Sequence, residues 1–92
     1  MTPEQFVFAS SVVDALASLL RANGLVRCDA AGLPGLKVEL VSVLREEPGR
    51  YVDLLENVAA SLEASSAPVL ADPGSVRELA AMLPRASLCL RN

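Results

Sequence analysis

Three times in this chain a Pro-Gly pair is followed by three residues, an acid and a leucine: Pro34-Gly35 with Glu39-Leu40, Pro48-Gly49 with Asp53-Leu54, and Pro73-Gly74 with Glu78-Leu79. Proline has no N–H to give to a helix interior, but in the first turn that donor has no partner anyway. A carboxylate in the second turn still lies near the positive end of the helix. Each phrase therefore reads as a helix start, and together they divide the chain into short helices. Asp72 and Glu47 precede two of the phrases as N-caps, Asp72 the better suited; Leu33 precedes the other, which is the weaker start. The phrases are unequally separated, so they indicate one initiation device used repeatedly rather than a solenoid repeat.

The first helix opens differently. Thr2, Pro3 and Gln5 form a capping box with proline in the first helical position. Two apolar ridges follow, Phe6, Ala9, Val13, Leu16 and Leu20 beside Phe8, Val12, Ala15 and Leu19, and Asn23-Gly24 supplies a left-handed stop. The spacing predicts helices over about Pro3 to Asn23, Gly35 to Glu46, Pro48 to Ala64 and Pro73 to Leu83. Inward positions are Leu36, Leu40, Val43 and Leu44 in the second, Tyr51, Leu55, Val58 and Leu62 in the third, and Val76, Leu79, Ala80 and Leu83 in the last. Arg50, Asp53, Glu56, Asn57 and Glu63 form the wet face of the third helix, and Val69-Leu70 pin the connection that follows it. Pro84 is expected to stop the last helix. The tail 84–92, where Leu88 and Leu90 alternate, has strand period and could pair with the stretch Leu25 to Cys28, pack as coil or dock on another chain. The fold class is all-α: one domain over residues 1–92, a bundle of about four helices with a short strand-like tail.

A chain of 92 residues has room for one core, and folding hides only roughly 60–65% of its unfolded surface. Yet 52% of the residues are apolar and the mean hydropathy is +0.41, so apolar surface should be left outside, as an interaction or self-association face would require. The net charge of −3 disfavours phosphate backbones and anionic membranes. Asp14, Arg21, Glu39 and Arg45 interrupt the apolar runs, no membrane-spanning segment is expected, and the opening Met1-Thr2-Pro3-Glu4-Gln5 lacks the basic start of a secretory signal. A cytoplasmic location follows as the expectation. Cys28 and Cys89 are far apart and outside any C-x-x-C pair, which reads as two free thiols, with a bridge between them as the alternative. Arginine far outnumbers lysine and isoleucine is missing, a usage that points to a GC-rich bacterial or phage source.

No histidine is present, which removes His-based acid–base chemistry, Ser-His and Cys-His nucleophiles and most zinc sites. The carboxylates end helices or line a solvated face, and the Pro-Gly phrases lack the spaced glycines and Lys-Ser/Thr of a phosphate loop. No catalytic residue, cofactor or metal is therefore assigned. The second helix, Glu47-Pro48-Gly49 and the third helix could imitate a helix-turn-helix, and a dimeric DNA-binding regulator is the alternative function, although only Arg50 precedes several acids on the would-be recognition helix. Small residues recur at Ser11, Ala15, Ser18 and Ala22, with Asp14 and Arg21 within reach of neighbouring serines. Such a stripe suits close helix packing, either as an internal bundle contact or as a dimer or partner interface. The leading expectation is a non-enzymatic protein–protein interaction module: an adaptor, an assembly subunit or an inhibitor that occludes its target. Its partner would be another protein or a second copy of itself. The candidate contacts are Phe6, Phe8, Val12, Leu16, Leu88 and Leu90 together with the small-residue stripe.

Overall fold

The computed structural model describes residues 2–64 and 72–91. It contains four helices, α1 (Pro3–Ala22), α2 (Leu33–Glu46), α3 (Pro48–Ala64) and α4 (Pro73–Arg91), and no strand among the described residues. α4 packs against all three others, α2 touches α1 and α3, and α1 and α3 do not meet. The bundle is thus an arc of three helices closed by the fourth. Every helix sends leucine to the centre: Leu16, Leu20, Leu40, Leu44, Leu55 and Leu83 are essentially inaccessible. Burying each contributes roughly 1.5–3 kcal/mol.

The helix ends follow from side chains named above. Gln5 N–H donates to Thr2 Oγ1 (3.2 Å) and Thr2 N–H to Gln5 Oε1 (2.9 Å), so the capping box is complete. At the far end of α1, Gly24 N–H donates to the Arg21 carbonyl (3.1 Å) and Leu25 N–H to that of Leu20 (2.9 Å), with Gly24 at φ 69°. This is the Schellman pattern, and the left-handed residue is Gly24 alone. α2 begins two residues before the expected Gly35. Asp29 Oδ1 accepts from the Gly32 N–H (2.8 Å), and the Gly32 carbonyl accepts from Leu36 N–H (3.1 Å), which draws Leu33 into the first turn. Glu47 alone separates α2 from α3: its N–H donates back to Val43 (2.7 Å) and its carbonyl accepts from Arg50 (3.2 Å). Asp72 caps α4 by accepting from the Ser75 N–H at 3.1 Å.

The largest departure from expectation is the C-terminal stretch, which is neither strand nor tail. α4 runs through Pro84 to Arg91, although an interior proline costs about 3 kcal/mol. Pro84 faces outward, so its ring needs no room in the core, and beyond it Ala86, Ser87 and Cys89 are buried. Arg91 Nε also donates to the Arg45 carbonyl (2.7 Å), capping the end of α2. Burial and this cap outweigh the local preference of proline. They even carry the buried Ser87 hydroxyl, which has no hydrogen-bond partner among the described residues. The stretch Leu25 to Cys28 is irregular and pairs with nothing as a strand.

Among the expected inward positions, Leu40, Leu44, Leu55, Val76, Leu79, Ala80 and Leu83 are buried, whereas Leu36, Val43, Tyr51, Val58 and Leu62 are half-buried. Ala17 and Ala59 are buried as well. The expected wet face of α3 is exposed throughout. Both cysteines are free thiols, Cys89 buried and Cys28 half-buried. Val69 and Leu70 lie outside the described residues. One expectation was too strong: by length and composition alone α1 is long and apolar enough to cross a membrane, with 33% of its most apolar stretch buried in the bundle. The charges of Asp14 and Arg21 are too few to remove it from that class.

Candidate interaction surface

The fold sorts the candidate contacts into four places. Val12 and Leu16 are in the core, at 3% and 0% exposure, and are corrected from contacts to packing residues. At 3.6 residues per turn they share the face of Ala9, Val13 and Leu20, which meets α4 and α2.

The small-residue stripe occupies the opposite side of α1. Ser11, Ala15, Ser18 and Ala22 are all exposed, which overturns the internal-contact reading. Nor are the flanking charges satisfied by the serines. Asp14 pairs with Lys37 of α2 at 2.8 Å, and Arg21 Nε donates to the Cys28 carbonyl at 3.1 Å. Both side chains turn to the neighbouring segment, which leaves the stripe uncharged and open.

Phe8 and Leu88, eighty residues apart in sequence, meet on one flank of α1. The Arg85 guanidinium lies 4.7 Å from the centre of the Phe8 ring, a cation–π contact that covers one face of the ring. Leu88 stands beside them, 62% exposed, and Glu4 and Gln5 close the shallow recess.

Phe6 and Leu90 meet on the other flank, in a groove of about 330 Å³ between α1, α2 and the end of α4. Its floor is Ala9, Val13, Val41 and Leu90, and its banks are Phe6 on α1 and Val38 on α2. The banks carry large apolar side chains into solvent, Phe6 at 63% exposure and Val38 at 71%. The Asp14–Lys37 ion pair supplies the groove's charge. Val38 and Val41 were not among the expected contacts. Their signal was present, since both are apolar yet Val38 stands off the inward stripe of Leu36, Leu40, Val43 and Leu44.

A wider depression of about 610 Å³ surrounds the α1–α2 loop at Cys28, Asp29 and Glu39. There the polar groups serve the turn itself, because Asp29 holds Gly32 and the Cys28 thiol donates to the Asp29 carbonyl at 3.2 Å. Among the described residues no three carboxylate or thiol side chains come together as a metal site would need. The Tyr51 phenol has a raised pKa, chiefly through burial, with Glu39 adding to the effect and Arg50 opposing it. Compared with family models, with characterised proteins and with solved structures, the chain matches none.

Proposed function

We propose that the protein is a non-enzymatic interaction module, an adaptor, assembly subunit or occluding inhibitor, which binds a protein partner through the groove between α1, α2 and the end of α4. One observation carries this reading. The two most exposed large apolar side chains among the described residues, Phe6 and Val38, stand on opposite banks of the same apolar groove. Single exposed hydrophobes are ordinary on a folded surface, but two that flank an apolar recess form a contiguous patch. Covering what remains exposed of both would contribute roughly 2–4 kcal/mol, about one and a half to three decades of affinity before the costs of association.

The DNA-binding alternative has weaker support. The link between α2 and α3 is the single residue Glu47, shorter than the three to four residues of a helix-turn-helix. The exposed face of α3 offers Asp53, Glu56 and Glu63 to a phosphate backbone.

Site-specific photo-crosslinking tests the proposal. A photo-reactive phenylalanine analogue at position 38 should give adducts of discrete mass in the producing cell, and the same analogue at position 53, on the wet face of α3, should give none. Equal or absent adducts at the two positions would discard it.

A further inference from the structure

We infer that the partner of this groove is a second copy of the same chain, docked about a two-fold axis; the inference rests on the groove being an interaction surface at all. The first reason is shape. A two-fold interface uses one patch twice, so that patch must hold both a projection and a recess to receive it. Here Phe6 projects from the rim of the groove it would have to fill. A cavity of about 150 Å³ already accepts benzene, and a groove of about 330 Å³ takes the phenyl ring of one Phe6 with space for an aliphatic neighbour.

Charge favours a second copy over a peptide of one sign. The lining carries one acid and one base, Asp14 and Lys37, 2.8 Å apart with 59% and 38% of their side chains exposed. An acidic or a basic peptide would be attracted by one and repelled by the other. A second copy turned by 180° presents its own base to Asp14 and its own acid to Lys37, so every charge gains an opposite neighbour.

Sedimentation equilibrium on the intact chain between about 10 µM and 1 mM provides the test, with far-UV circular dichroism to confirm that each variant is folded. The parent chain should dimerise reversibly within this range. Phe6→Ser should weaken the dimer at least about 20-fold, because each dimer buries the exposed part of the side chain twice. Asp14→Lys and Lys37→Asp should each be monomeric alone, since each sets like charges across the axis, and an equimolar mixture of the two should recover the dimer. A parent chain that stays monomeric at 1 mM, a dimer insensitive to Phe6→Ser, or a mixture that stays monomeric would overturn the inference. Failure here remains separable from failure of the broader reading. A monomeric parent with a discrete adduct to a different protein at position 38 removes only the second copy, whereas a monomeric parent with no adduct of any mass removes both.

Discussion

α1 and α3 solve the same packing problem and then diverge. Of 20 and 17 residues, both bury an aliphatic face, the broader one of Ala9, Val12, Val13, Leu16, Ala17 and Leu20 in α1 and the narrower one of Leu55 and Ala59 in α3. Outward, α3 shows Asp53, Glu56, Asn57 and Glu63, and Glu63 pairs with Arg77 of α4. Beyond Glu4 in its first turn, α1 shows Val7, Ser11, Ala15, Ser18 and Ala22 instead, with Asp14 and Arg21 turned to neighbouring segments. Folding demands only the inner faces. The outer face of α3 is what solvent alone would select, so the bare outer face and groove-side flank of α1 need a further reason, and a binding surface supplies one.

The most forceful way to break this comparison is to cut the two inner faces. Leu16→Ala and Leu55→Ala, both fully buried, should each lose about 2–5 kcal/mol in urea unfolding. A large inequality would mean that the inner faces are not equivalent. Smaller effects of opposite sign are expected at the two helix starts. Thr2→Ala removes the α1 cap and should cost about 1 kcal/mol. Gly49→Ala in the first turn of α3 should gain about 0.5–1 kcal/mol, because an added Cβ meets nothing within 4 Å. Differential scanning calorimetry would register both, and a loss at Gly49 would show that the α3 start depends on glycine.

The smallest expected effect is alkaline and belongs to α3 alone. The Tyr51 pKa is raised from 10.0, first by burial, so the fold favours the neutral phenol. Its contribution is fully present below pH 10 and is lost as pH rises through the raised folded-state value. Tyr51→Phe should flatten that part of the stability–pH curve, measured by urea midpoints between pH 9 and 11. An unchanged slope would place the phenol in water in the native state.

Helix beginnings and the end of α1 were legible because local chemistry decides them: Thr2 with Gln5, Gly24 in its left-handed turn, and Asp72 under Ser75 act within a few residues of sequence. Pro84 was misread for the complementary reason. Its local preference is to stop a helix, but the groups that carry α4 past it, the surroundings of Ala86 and Cys89 and the Arg45 carbonyl, belong to distant segments. Candidate contacts fared in the same way. Phe6, Phe8, Leu88 and Leu90 could be named as conspicuous apolar residues, but only the fold divides them between the two flanks of α1, and only the fold adds Val38. Val12 and Leu16 show the converse, since an apolar residue on a helix is outside or inside according to a neighbour that spacing along one helix does not identify.

α4 packs against each of the other three helices, as α2 also does, and it is the last of the four to leave the ribosome. Until then the leucines of the first three helices, Leu16, Leu20, Leu40, Leu44 and Leu55, have no lid over them. The nascent chain therefore leaves exposed the part of its inner surface that α4 covers for as long as synthesis takes to reach the fourth helix, an interval in which neighbouring nascent chains can meet. A fold closed by its fourth helix gains its cooperativity only once that helix has been made, and chaperone occupancy of the nascent bundle should end when it docks.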